Sequence, residues 1–510
     1  MDALKLSIPE QHDFTDPTVE RDVDRLHDWL TNLPLMDVVE TVRLVHGALD
    51  SLNEQKLAVE QRFQHLEVYR ATARRLFVTV DPLHLRQLAL TKAQREEAIG
   101  GVEQLFLSIA GGYKLIVVQL HQADSTAPGP LFGQAINRAL EQLTYSLLDS
   151  YRFYRAVQPQ LIAESHELYR LARHYGQLSC CVDEGDEQTP AISIAMHYHA
   201  SMLLSLTDPF RLAEGEVSLL FDVLMQHAAA CRVIPGNSWS GSGEGLFLVE
   251  LGGDKLPVPC NTLQPPVTVK DPYLLDATEA LAAVRERLAK TPAKVRMQSP
   301  EAMVLRRLLP ETQDGERRRE QRSTDSRWTR LLLGVTGIHQ YLSSVANKDP
   351  GRLAGNGTLP NDLVMCRVLD SSASGMKLAW EGRAAGDARV GDLLGIIDEQ
   401  GSRQSLVLAM IRSIRVFREG GMEAGVQLMP GGLGAVTCHV TDQPEKGGMR
   451  ALFMPASEDE QFTATLVAGK GLYEEGMHLL IDVGGREVRA RAGRLVLDSP
   501  VFDRFEFSAE

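Results

Sequence analysis

Two short stretches carry the residue types that could do chemistry. The first is Glu316–Arg322, which reads ERRREQR: Arg317, Arg318 and Arg319 are adjacent, and Arg322 lies four positions after Arg318. The second lies downstream in VLDSSASGMKL, where Asp370, Ser372 and Gly375 are spaced D-x-S-x-x-G. A guanidinium is a planar fork of donors that grips a phosphate through two hydrogen bonds. An ionised aspartate is an acceptor-only group that suits donor edges. Each stretch also has a plain reading. A charge run in a linker is ordinarily solvated. D-x-S-x-x-G between two strands is ordinarily a tight turn, because Asp and Ser bond nearby backbone and Gly tolerates positive φ.

The elements that must position these residues follow from hydrophobic period. From about Thr18 to about Ala230 the period is helical: DVDRLHDWLTNL places Val23, Leu26, Trp29, Leu30 and Leu33 on one face. In the long stretch from Pro34 to Phe77, the stripe Leu44, Leu49, Leu52, Leu57, Phe63, Leu66 predicts helix, broken or bent somewhere near Gly47. Residues 1–230 are therefore expected to be an all-α domain. Residues 231–310 form a joining region, with a hairpin turning at Gly252–Gly253 and two helices. Residues 311–327 have no apolar side chain and read as an arginine-rich linker. After Trp328 the period becomes two. LVMCRVL, MKLAWE, DLLGIID, QSLVLAMIRSIRVF and EAGVQLM are short strands that predict a small antiparallel barrel or sandwich over 328–432. Residues 433–510 repeat the style, either extending that barrel or forming a second small β unit.

Joined in one chain, the two stretches and the strand pattern resemble the PilZ domain, over roughly residues 312–430. PilZ domains bind the bacterial second messenger cyclic di-GMP. The resemblance implies a multidomain fold, all-α at the N-terminus with a PilZ-like antiparallel β-barrel behind it. It also implies a non-catalytic receptor. In it Arg318 and Arg322 clamp phosphate and base, Asp370, Ser372 and Gly375 form the guanine-side turn, and Arg317 accompanies two stacked ligands in place of one. The chemistry agrees: guanine shows O6 and N7 to an arginine fork and N1–H and N2–H to a carboxylate. The helical domain is then the output module that meets a protein partner. The rival reading is a scaffold or adaptor with a degenerate barrel and no ligand, its helical stripes serving as a homo-oligomer seam.

The totals bound the alternatives. A chain of 510 residues exceeds one ordinary core. With 44% hydrophobic and 24% charged residues it has a globular composition. The most apolar stretch, Leu105–Leu120, is interrupted by Gly111, Gly112 and Lys114 and reads as a buried helix, so no span of a bilayer and no membrane insertion is expected. The six cysteines make no CxxC spacing, so reduced thiols and a cytoplasmic setting are expected. A formal charge of −14 argues against nucleic-acid binding. His197-Tyr198-His199 has no metal-ligand spacing, and GSGEG (Gly241–Gly245) joins no strand to a helix. No GxSxG occurs, and no cofactor or catalytic residue is expected. Arg285, Arg287, Lys290, Lys294, Arg296, Arg306 and Arg307 read as solvated helix faces more readily than as an extension of the arginine run.

Overall fold

The computed structural model describes residues 4–510, apart from 14–15, 17–18, 36, 185–189, 237–242, 263–271, 293–295, 297–298, 310–322, 325, 347–362, 381–387, 401–402, 418–419, 430, 442–446 and 457–462. The chain divides into two units. One is Met1–Pro209 with Glu214–Arg317; the other is Phe210–Ala213 with Arg318–Glu510.

The first unit is built on helices α1 (Val23–Thr31), α2 (Val38–Glu54), α3 (Val59–Thr79), α4 (Pro82–Leu85), α5 (Lys92–Ala123), α6 (Pro130–Arg152), α7 (Pro159–His174), α8 (Ile194–Leu206), α9 (Glu216–His227), α10 (Thr278–Lys290) and α11 (Pro300–Leu308). Local chemistry sets their starts. Asp22 and Asp37 accept from the first free backbone N–H groups of α1 and α2, and Thr91 with Gln94 makes a capping box on α5. The break or bend expected near Gly47 falls later, between α2 and α3. Gly47 is exposed inside α2, where a glycine costs only about 1 kcal/mol, and the helix instead stops at Gln55, whose backbone is extended. Helix α6 is buried along almost its whole length. Gly112 lets α5 lie close to α2 and α3: a Cβ there would sit 2.7 Å from both Asn53 Oδ1 and Leu66 Cδ2. By length and composition α5 could cross a membrane, a property broader than the sequence reading allowed. Yet 72% of its apolar window is buried inside the fold, as in a core helix. A four-stranded antiparallel sheet, β1 (Arg232–Pro235), β2 (Leu246–Val249), β3 (Val258–Pro259) and β4 (Tyr273–Asp276), runs in the order β1-β4-β2-β3.

The second unit holds two barrels. Strands β6 (Trp328–Leu333), β7 (Val364–Ser371), β8 (Gly375–Trp380), β9 (Leu393–Gln400), β10 (Arg403–Val416) and β11 (Met422–Met429) pair in the order β7-β6-β9-β10-β11-β8. The β7–β8 pairing then closes the ring, so this is a six-stranded antiparallel barrel. A two-residue strand, β5 (Ser323–Thr324), lies alongside β7. The second barrel is also six-stranded and antiparallel. Strands β12 (Gly434–Val440), β13 (Met449–Met454), β14 (Thr465–Gly469), β15 (His478–Val483), β16 (Arg486–Asp498) and β17 (Phe502–Ala509) close as β12-β13-β14-β17-β16-β15. Residues 433–510 thus form a separate closed barrel.

Helix α12 (Gly334–Ala346) leaves the first barrel after β6 and joins it to the second. Its Ile338 and Tyr341 are buried in one apolar cluster with Leu393 and Met410 of the first barrel and Leu452 and Phe502 of the second. Polar bonds cross the same seam: Ser499 Oγ donates to Gly391 O at 2.6 Å, and His339 Nε2 lies 3.1 Å from Val436 O.

Candidate functional site

The D-x-S-x-x-G stretch connects β7 to β8. Ser372 N donates to Gly375 O at 2.8 Å, and Gly375 N donates to Ser372 Oγ at 3.2 Å. Leu428 N donates to Ser374 O at 2.9 Å, which ties the turn to β11. The turn reading is therefore right as far as it goes, and Ser372 spends hydrogen-bonding capacity on it. Gly375 departs from expectation. It is a buried first residue of β8 and is not among the glycines with positive φ, so its place in the turn does not rest on left-handed backbone.

Asp370 sits just past a register shift in the β7–β8 ladder and pairs with Lys377. The Lys377 ammonium makes an ion pair with Glu423 at 2.6 Å. On the other edge of β7, Ser323 pairs with Ser371 and Thr324 with Asp370, and Ser323 Oγ donates to Ser371 O at 3.4 Å. Arg317, Arg318 and Arg322 lie outside the described residues. Arg322 directly precedes Ser323 in sequence, so the first described residues after the arginine run lie against Asp370 and Ser371.

Strand alternation fixes what else faces outward on this wall. Thr329 and Cys366 pair and are buried, and Leu331 is buried with them. The adjacent pair at the end of the ladder, Trp328 with Arg367, must then point away from the core. Trp328 is 65% exposed and Arg367 is exposed. Val368 N donates to Arg327 O at 2.9 Å, which holds this end of β6 against β7. Sequence reasoning used Trp328 only as a boundary and passed over Arg367. The signal was the alternation W-T-R-L-L-L itself, which puts Trp328 and Arg330 on one face and Thr329 and Leu331 on the other.

Elsewhere, several groups of ionisable residues are committed to structure. Arg70, Arg74 and Arg138 converge with Glu67, Glu141 and Glu184 in the helical unit. Arg138 grips Glu67 with two bonds, at 3.0 and 3.1 Å. Burial alone would raise Glu184, but hydrogen bonds and charge from Arg70 and Arg138 hold it at about 2. His197 and His199 are core residues, each lowered to about 4 chiefly by burial. Arg287 pairs with Glu301 at 2.9 Å, Lys290 with Glu286 at 2.7 Å, and Arg285 with Glu244, which agrees with solvated or locally paired helix faces. Lys294 lies outside the described residues. The six cysteines are free thiols.

What the described residues present is an outward-facing wall of Trp328, Arg367 and Asp370 on the first of two small barrels, with no group of three His, Cys, Asp or Glu placed to hold a metal ion. Comparison with known proteins adds a direction. A family model described as "Cyclic-di-GMP receptor FimW, N-terminal domain" matches residues 24–236, and one described as "FimW C-terminal beta-barrel domain" matches residues 435–509. The chain is similar to a Pseudomonas aeruginosa protein named cyclic-di-GMP receptor FimW, with 24% identity across 94% of this chain and 90% of that protein. These matches correct the PilZ resemblance. The models that match the helical region and the second barrel are FimW models, and the likeness along the whole length is a distant, FimW-type one, not specifically that of a PilZ-domain protein. The physical reason for the misreading is plain. R-x-x-x-R and D-x-S-x-x-G are short, and a six-stranded barrel with a serine-closed turn is a shape that many families share.

Proposed function

We propose that this protein is a non-catalytic receptor for cyclic di-GMP, and that the first barrel holds the ligand. Arg318 and Arg322, with Arg317 beside them, grip phosphate and the O6/N7 edge of guanine from one side. Asp370 accepts from guanine N1–H and N2–H on the other, with Ser372 and Gly375 shaping the turn. The observation that carries this reading is the pairing of β5 with β7, which sets the residue after Arg322 against Ser371 and the next against Asp370. The name of the similar Pseudomonas protein supplies the ligand class. In sequence, residues 311–327 span one of the points where the chain passes between the units, at Arg317–Arg318, so the arginines that grip the ligand lie at a joint between them. The helical unit is then the output surface that meets a protein partner. Its response is limited to the difference in ligand affinity between the two states it connects.

Calorimetric titration of the full chain with cyclic di-GMP tests the reading. Arg318→Ala, Arg322→Ala and Asp370→Asn are each expected to weaken binding by about 1.5–3 kcal/mol, the worth of a hydrogen bond to a charged group. Saturable binding that all three variants retain would remove the site assignment. No saturable binding by the parent at micromolar ligand would leave the ligand-free scaffold as the better account.

A further inference from the structure

We infer that Trp328 is a stacking shelf for one guanine of the ligand, with Arg367 as the cation at its edge. This rests on the receptor reading above and adds a residue to the same site. An indole is among the largest apolar surfaces a side chain offers, and a folded chain ordinarily covers it. Here it is left 65% exposed at the start of a strand whose neighbouring inward residues, Thr329 and Leu331, are buried. Its register partner Arg367 is exposed on the same outer wall. Along β7, Arg367 and Asp370 are three residues apart with the register shift between them, so their partners on β8, Ala379 and Lys377, are two apart and share a face, about 7 Å at roughly 3.3 Å per strand residue. Trp328 therefore sits on the wall that bears Asp370, one strand over, and the chain reaches it directly from Ser323 and Thr324.

The chemistry selects the occupant. A flat aromatic face takes a flat base and is indifferent to which base. The groups around it are not indifferent. Asp370 accepts hydrogen bonds only, so it suits the N1–H and N2–H of guanine and faces a lone pair at N1 of adenine. Arg367 offers a fork of the kind that fits guanine O6 and N7. A guanine stacked on Trp328 is thereby discriminated from adenine by the charged residues of the same wall.

The test is titration of the full-length parent, Trp328→Ala, Trp328→Phe and Arg367→Ala with cyclic di-GMP, and of the parent with cyclic di-AMP. Trp328→Ala is expected to weaken cyclic di-GMP binding about five- to a hundred-and-fifty-fold, the range seen when a base loses its aromatic platform. Trp328→Phe should stay within a few-fold of the parent, and Arg367→Ala should weaken binding at least several-fold. Cyclic di-AMP should bind far more weakly than cyclic di-GMP. Intrinsic fluorescence gives a second readout: ligand should quench the parent and quench Trp328→Phe much less, although that variant still binds. The unfolding midpoint should be unchanged by Trp328→Phe, since the ring is largely exposed. A parent that binds while Trp328→Ala binds equally well would overturn the shelf and leave the receptor intact. A parent that binds no cyclic di-GMP would overturn both.

Discussion

Arg138→Met is the sharpest test of how the helical unit is held together. Arg138 is 2% exposed and bonds Glu67 twice, Glu141 at 3.3 Å, and Glu184. With Arg70 and Arg74 it balances Glu67, Glu141 and Glu184, three cations against three carboxylates. Methionine fills a similar length but leaves one negative charge uncompensated. His197 cannot replace it, because burial holds it neutral at pH 7. Removing one partner from a buried ionic cluster costs about 3–5 kcal/mol. At roughly 2–4 °C per kcal/mol for a unit of this size class, the midpoint should fall by about 6–20 °C. The assay is thermal and urea unfolding followed by far-ultraviolet circular dichroism at the helix band. Adding Glu184→Gln restores two cations against two carboxylates and should recover a substantial part of the loss. A single variant within about 1 kcal/mol of the parent, or a double variant no better than the single, would refute the reasoning.

Three further outcomes are expected. Burial pushes Asp149 up to about 7, and neither of its carboxylate oxygens has a hydrogen-bond partner. The folded state therefore keeps a proton that the unfolded chain releases, so stability falls between about pH 4 and pH 7; Asp149→Asn should remove that slope in urea unfolding and be more stable than the parent at pH 8. Glu184 shifts the other way: its contribution is present above the unfolded carboxylate range, near pH 4.3, and is lost as pH falls toward 2, so Glu184→Gln should flatten the acid limb of a stability–pH curve. If Arg317 brings in a second stacked ligand, calorimetry should give two cyclic di-GMP per chain for the parent and one for Arg317→Ala; one per chain for the parent removes that role.

The helical region was legible because apolar period and caps agree there: Leu26, Leu30, Leu49, Leu52 and Leu66 are buried as their spacing implies, while Leu44 and Trp29 mark the exposed margins of their stripes. The long strands of the first barrel were legible for the same reason at period two. What was not legible lacked a period to read. A strand of two residues such as β5 has none, and it is the element that brings the linker to Asp370. Of the sheet of β1 to β4, the hairpin of β2 and β3 around Gly252–Gly253 was read from the sequence, whereas β1 and β4, four residues each, hid for the same reason. The D-x-S-x-x-G turn was readable, but Ser372 and Gly375 make it with ordinary backbone geometry, so the motif by itself said little about family. Trp328 and Arg367 needed the β6–β7 register before they could be seen as neighbours.

The seam around α12 has a consequence for anyone who would treat the C-terminal barrel as an interchangeable cassette. Cutting the chain between Met429 and Gly434 does not release a finished object from each side of the cut. It strips Leu393, Met410, Ile338 and Tyr341 from Leu452 and Phe502 and leaves Gly391 O without its hydroxyl donor from Ser499. A graft or exchange that keeps both barrels intact must carry residues 323–510 as a single piece.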